Sequence, residues 1–273
     1  VSYTDPEGRT ETYTYDCNSN LTKTVDKNGN TLKNTYDNKN RLTERTAKEK
    51  KTGKETVHTY CYNAYGDVAV QDDTQFVYGD VSGQVTKETT KLTKNKDVVK
   101  NYTYDSKGNK STFSVKAGED TKLSLSYEYD GSSRLISVKD SEGNRAVSYA
   151  YDTEGSLSQR QAANGLKTTY GYDYQNRLTS MTNETGKGVV SKYSSTYLKN
   201  GQKAEEVSTV MDKNGKSTKK TAAYTYDMLG RITRETKTGR EDISYTYDAN
   251  NNRKQMTIGN KTTAYQYNKN DEL

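Results

Sequence analysis

The chain has 273 residues, with 42 basic and 36 acidic side chains and a net charge of +6. Leu, Ile, Val and Phe together number only 36, whereas Tyr alone accounts for 25, beside 2 Phe and no Trp. So few aliphatic residues exclude a conventional deep-cored globule, and the well-mixed charge together with the tyrosines argues against disorder. Tyrosine must supply most of the large apolar area; its ring buries like a hydrophobe while its hydroxyl needs a partner, which suits a half-wet sheet.

Taken in order, the chain repeats itself. Asp5-Pro6-Glu7-Gly8 opens as a turn, with the single proline at the position that wants a fixed φ. Tyr13-Thr14-Tyr15-Asp16 follows, then a second turn at Asp26-Lys27-Asn28-Gly29 and a shortened copy at Tyr36-Asp37. Weaker copies stand at Tyr60-Cys61-Tyr62-Asn63 and Phe76-Val77-Tyr78, the latter with Gly79 inserted before Asp80. Intact copies return at Tyr102-Thr103-Tyr104-Asp105 with Gly108, at Tyr127-Glu128-Tyr129-Asp130, and at Tyr149-Ala150-Tyr151-Asp152 with Gly155. Tyr170-Gly171-Tyr172-Asp173 comes next, followed by the weak Tyr197-Leu198. Tyr224-Thr225-Tyr226-Asp227 with Gly230 and Arg231, Tyr245-Thr246-Tyr247-Asp248, and the weak Tyr265-Gln266-Tyr267-Asn268 complete about twelve units. Asp16 to Asp37 and Asp152 to Asp173 are each 21 residues. Asp140-Ser141-Glu142-Gly143 and Asp212-Lys213-Asn214-Gly215 repeat the second turn.

This pattern predicts an all-β fold. Tyr at i and i+2 puts both rings on one face of a strand. In Asp-x-x-Gly the carboxylate can accept a backbone bond two residues on, and Gly takes the left-handed conformation that closes a three-residue hairpin loop with a bulge. Asn40, Asn176 and Asn251 replace Gly with the next most tolerant residue. Asp16 should then face Asn20, and Tyr15 should face Leu21. With two turns per period, the expectation is tandem hairpins in a long antiparallel meander of about 24 strands, about 115 Å wide at strand spacing. A sheet so wide must curve, giving a spiral, partial barrel or shell. The array is expected to fill residues 1–273 as a fragment of a longer protein. Its closing Asn270-Asp271-Glu272-Leu273 is read as a turn rather than a retention signal.

Chemistry-bearing candidates are sparse, and no catalytic, metal or cofactor site is expected. Asp37, Asp130, Asp173 and Asp227 should face Arg41, Arg134, Arg177 and Arg231 as exposed ion pairs worth ~0–1 kcal/mol each, rather than as an anion-binding ladder. Cys17 and Cys61 are two repeats apart and should be free thiols. His58 lacks partners for a triad or a metal site. Asp-x-x-Gly lacks calcium-loop spacing, and the glycines form no phosphate loop. Basic and acidic residues alternate with Thr, so nucleic acid is not an expected partner. No apolar run approaches a membrane span.

The seven intact Tyr-x-Tyr-Asp copies, and Asp227-Met228-Leu229-Gly230-Arg231-Ile232-Thr233 above all, resemble the Rhs or YD-repeat family over essentially the whole chain. The resemblance implies a hollow β-shell of the kind built by bacterial Rhs proteins, insecticidal toxin complexes and teneurins, enclosing a C-terminal toxin in the bacterial cases. It also implies a secreted or cell-surface location. No self-cleaving aspartyl plug accompanies the repeats in this sequence, so autoproteolysis and toxin activity are expected to lie outside it. The expected function is thus a non-catalytic wall around a toxin or cargo polypeptide, partnered by the rest of its parent protein. The alternative is a carbohydrate- or cell-wall-binding module stacking sugars on tyrosine. Unsealed strand edges should invite edge-to-edge self-association.

Overall fold

The structure is a computed structural model that describes residues 1–80, 83–92, 96–212 and 214–273. Lys213, within the predicted Asp212 turn, lies outside the described residues. Every regular element among the described residues is a strand. The chain divides into two compact units, residues 1–126 and 127–273.

The first unit begins with β1 (Ser2–Thr4), β2 (Thr10–Tyr15), β3 (Leu21–Val25), β4 (Thr31–Tyr36), β5 (Leu42–Lys48) and β6 (Glu55–Tyr62). It continues with β7 (Val68–Gln71), β8 (Thr74–Tyr78), β9 (Val85–Leu92), β10 (Lys96–Tyr104) and β11 (Lys110–Ala117), and takes in most of β12 (Asp120–Tyr129). The second unit takes the end of β12 and then β13 (Leu135–Lys139), β14 (Arg145–Tyr151), β15 (Leu157–Ala162), β16 (Lys167–Tyr172), β17 (Leu178–Thr185) and β18 (Gly188–Tyr197). β19 (Lys203–Met211), β20 (Ser217–Tyr226), β21 (Ile232–Lys237), β22 (Ile243–Tyr247), β23 (Arg253–Ile258) and β24 (Lys261–Ala264) complete it.

From β1 to β12, and again from β13 to β24, every strand pairs antiparallel with its successor in the chain. Each unit is thus a stretch of the predicted up-and-down meander, with 24 strands along the chain among the described residues. Even-numbered strands up to β22 end on the second tyrosine of the motif, so each unit gathers its tyrosine-aspartate turns along one edge. The predicted register holds: Tyr15 faces Leu21, with the bulge between Thr14 and Tyr15.

The motif tyrosines alternate with exposed residues as expected. Tyr102 and Tyr104, Tyr149 and Tyr151, Tyr224 and Tyr226, and Tyr245 and Tyr247 are half-buried, while Thr103, Ala150, Thr225 and Thr246 between them are exposed. Glycine stands between Tyr170 and Tyr172 for a local reason: a Cβ at Gly171 would collide with the cross-strand Ser180 hydroxyl. Burial is thin throughout. Val138 is the only buried hydrophobic residue among those described. Backbone ladders and repeated side-chain contacts, not a deep core, must hold such a sheet together.

The prediction that one turn type occurs twice per period needs correction. Asp5, Asp26, Asp140 and Asp212 do form the same loop as Asp16. Other second turns are two-residue hairpins, at Asp72-Asp73, Gly118-Glu119, Gly186-Lys187 and Gly259-Asn260. Another is a wider loop between Glu49 and Lys54. Loops of different length close neighbouring strands equally well so long as the strand register is kept. The chain's last turn closes as expected, with Asn268 N–H donating to the Glu272 carbonyl.

Candidate functional site

The feature that recurs from hairpin to hairpin is the tyrosine-aspartate edge. Where the turn opens on aspartate, the carboxylate accepts the backbone N–H groups of the loop. Asp37 Oδ1 accepts the backbone N–H of Lys39 at 2.8 Å and of Arg41 at 3.0 Å, while Oδ2 accepts Arg41 Nε at 2.7 Å. Asp130, Asp173 and Asp227 repeat this with Arg134, Arg177 and Arg231. Asp16 and Asp105 do so with Asn20 and Asn109, and Asp248 holds the N–H groups of Asn250 and Asn252. At Asp152 the fourth residue is Ser156, whose N–H donates at 2.8 Å. Hydrogen bonds to the charged form favour it. The backbone N–H of Arg41 and then its guanidinium hold Asp37 below the usual carboxylate range; for Asp173 the Arg177 side chain leads. Gly108, Gly155 and Gly230 take φ of 82°, 89° and 82°, as the turn requires. Asn40, Asn176 and Asn251 fill the same place, and so do Ser19 and Ser133, which the sequence did not single out.

Ten of the second tyrosines share a task that the sequence reading missed. Tyr36 donates its phenol to the Leu21 carbonyl at 2.9 Å, and Tyr62 to that of Leu42 at 2.7 Å. Tyr78, Tyr104, Tyr151 and Tyr172 donate in the same way to the carbonyls of Val68, Val85, Leu135 and Leu157. Tyr197, Tyr226, Tyr247 and Tyr267 reach those of Leu178, Lys203, Ile232 and Arg253. The acceptor is in every case the first residue of the strand after the preceding turn. Burial raises the phenols of Tyr78, Tyr104, Tyr172 and Tyr226, which keeps them donors.

The first tyrosines behave differently. Tyr13, Tyr127, Tyr149, Tyr170, Tyr224 and Tyr245 are half-buried on the sheet face. Tyr102 donates to Glu88 Oε1 at 2.8 Å and packs against Phe113 with ring centres 5.2 Å apart. Burial, then that carboxylate, raises its phenol far above normal. Among the second tyrosines, Tyr15 is left half-exposed at 48 %.

The arginines join neighbouring turns. Arg41 lies over the Tyr62 ring at 4.5 Å, Arg134 over Tyr151 at 4.6 Å, Arg177 over Tyr197 at 4.7 Å and Arg231 over Tyr247 at 4.5 Å. Each guanidinium is therefore fixed by the aspartate of its own turn and covers the latch tyrosine of the next. The expectation of exposed pairs is corrected: Arg177 and Asp173 side chains are 22 % and 18 % exposed. The available signal was the recurrence of an arginine four residues after the turn aspartate with a motif tyrosine in the following repeat, at separations that vary with loop length.

A further row of bonds ties turn to turn. Asn20 Nδ2 donates to Asn40 Oδ1 at 2.8 Å, and Arg231 Nη1 to Asn251 Oδ1 at 2.8 Å. Ser156 Oγ bonds Asn176 Oδ1 at 2.5 Å. Gln84 and Gln202 reach the carbonyls of Gly108 and Gly230 at 3.0 and 2.7 Å. In these five bonds the donor is the last loop residue of one turn, and the acceptor sits on the left-handed residue of the next.

Among the described residues no histidine or cysteine side chain takes part in the bonds of this edge. His58 Nδ1 and Asp72 Oδ2 are 2.9 Å apart at a half-exposed second turn, and Asp72 Oδ1 accepts the Thr59 N–H. Cys17 and Cys61 are exposed free thiols. Among the described residues no cluster of three or more His, Cys, Asp or Glu is placed to hold a metal ion. No helix among them is long and apolar enough to cross a membrane. A groove of about 560 Å³ at the second-turn edge is lined by Thr24, Leu32, Ala47, Lys48 and Thr56, among others, with no His or Cys.

Comparison with known proteins agrees with this geometry. The profile of the Teneurin YD-shell family matches residues 2–146, and that of the RHS Repeat matches residues 151–187. A search of curated protein sequences returned no match. Among solved structures, TcdB2-TccC3-TEV is similar with a TM-score of 0.75 and 14 % identity over 98 % of this chain. TcdB2-TccC3 without its hypervariable C-terminal region gives 0.66 and 13 % over 94 %, and TcdB2-TccC3-Cdc42 gives 0.61 and 12 % over 99 %. This chain spans only 16 %, 16 % and 19 % of those three chains, in the same order. With a family profile covering more than half its length and the hairpin repeat recurring throughout, the chain belongs to the YD-shell, or Rhs-repeat, family.

Proposed function

We propose that this chain is a non-catalytic wall segment, one continuous repeat array within a longer secreted or surface protein, whose shell encloses a C-terminal toxin or cargo polypeptide. The observation that carries the reading is the side-chain network of the tyrosine-aspartate edge. It spends the chain's most distinctive residues, Tyr, Asp and Arg, on joining hairpin to hairpin. A wall needs every neighbour contact closed and needs no reacting centre. The solved relatives are far longer than this chain, and one of them is a TcdB2-TccC3 protein made without a hypervariable C-terminal region. Edge strands β1 and β24 are the places where the parent's other repeats, or a second copy, would pair.

Limited proteolysis of the parent protein tests this. The segment after the repeats should resist protease while the wall is intact, and become sensitive when latch tyrosines are changed to phenylalanine. Equal sensitivity in both forms would refute enclosure.

A second reading rests on Tyr65 and Tyr174, which stand 94 % and 92 % exposed at turn tips and offer open faces for sugar stacking. Peptidoglycan pull-down compared between wild type and Tyr65→Ala/Tyr174→Ala separates the two. Binding lost in the variant supports a glycan module, and absence of binding supports the wall.

A further inference from the structure

The sheet contains two kinds of strand pair that alternate regularly. Within a hairpin the ladder runs to the tyrosine-aspartate turn, as in Tyr36 with Leu42, Tyr172 with Leu178 and Tyr226 with Ile232. Between hairpins it stops short of that edge. β3 begins at Leu21, but its pairing with β4 begins only at Lys23 with Lys33. The same two-residue gap separates Leu42 from Glu44, Leu157 from Gln159, Leu178 from Ser180 and Ile232 from Arg234. The tyrosine phenol bonds the carbonyl at the start of each of these gaps. At the opposite edge the same two strands are joined covalently through the second turn.

We propose that the sheet opens along these between-hairpin seams, hairpin by hairpin, pivoting on the second turns, with the tyrosine phenols as latches that hold the other edge shut. A backbone ladder breaks only when several bonds break together. A seam closed at its end by one phenol, with a guanidinium stacked on the ring at Tyr62, Tyr151, Tyr197 and Tyr247, gives way locally. Ladder length then ranks the seams. β21–β22 has two backbone pairs and β15–β16 has three, against seven for β19–β20. The short seams open first. The device depends on seam geometry alone, whatever the wall encloses.

Amide-resolved hydrogen exchange on the full chain tests it. In wild type, amides facing the β15–β16 seam should exchange faster than those facing the flanking β14–β15 and β16–β17 ladders. In Tyr172→Phe the seam amides should accelerate by about 2- to 10-fold, the effect of one lost hydrogen bond, while the hairpin amides stay as they were. Tyr174→Phe, at an exposed turn tip, should change neither. Uniform acceleration over both kinds of pair, or none, overturns the proposal. If Tyr172→Phe does not fold, the wild-type comparison of β21–β22 with β19–β20 decides: faster exchange in the short seam supports the latch, and equal rates refute it.

Discussion

The two edges of the sheet are built from the same strands and are treated very differently. At the tyrosine-aspartate edge most turns have one geometry, most of the opening carboxylates are saturated, and successive turns are bonded to each other. At the opposite edge, loops of two residues and longer loops are mixed, and ion pairs such as Lys48 with Glu55, at 3.7 Å, are half-exposed. The second edge is joined by the chain itself and can vary. The first would otherwise be held only by ladders that stop short, so side chains must close it, and that need fixes their identity.

Breaking the first edge should cost far more than altering the second. The largest effect is expected for Tyr151→Phe/Tyr172→Phe/Tyr197→Phe/Tyr247→Phe, at about 1 kcal/mol per lost phenol bond and about 4 kcal/mol in sum, read by urea unfolding. Gly230→Val comes next. It forces a branched residue to φ 82° with the Gln202 amide 3.0 Å from the new Cβ, and should cost about 2 kcal/mol. Gly186→Ala, in a second turn with open space around it, should stay within about 0.5 kcal/mol. Arg177→Lys keeps the charge but loses both the fork onto Asp173 and the flat stack on Tyr197. A loss of about 1 kcal/mol is expected there, against less than about 0.5 kcal/mol for Lys48→Ala at the other edge.

The smallest effect is set by pH. Asp37, Asp130, Asp173 and Asp227 titrate below their unfolded values. Their stabilising contribution is complete above about pH 4, the unfolded aspartate range, and is lost as pH falls through the lower native values. Acid unfolding followed by circular dichroism should therefore begin below about pH 4. Asp227→Asn should be less stable at pH 7 and show a shallower acid slope.

Much of this was legible in the sequence because its signals were local. Tyr-x-Tyr alternation and Asp-x-x-Gly each carry their geometry within four residues, so strands, turns and the Tyr15–Leu21 register could be read directly. The second-turn lengths were not, since Asp72-Asp73 and Gly186-Lys187 satisfy the register with different loops. Nor was the latch. The contacts of Tyr172 with Leu157 and of Arg177 with Tyr197 cross between repeats, and a motif read one copy at a time does not show them. The identity of the aromatic residue was the available clue: tyrosine rather than phenylalanine, at nearly every second position.

Comparing Tyr172→Phe with Tyr170→Phe in equilibrium urea unfolding tests the central claim most directly. Both rings lie on one strand and one face, but only the Tyr172 phenol reaches a neighbouring strand's carbonyl among the described residues. The account predicts a loss of about 1 kcal/mol for Tyr172→Phe and a value near wild type for Tyr170→Phe. Equal losses, or a larger loss at Tyr170, would show that the edge is held by ring packing and not by the phenol latch.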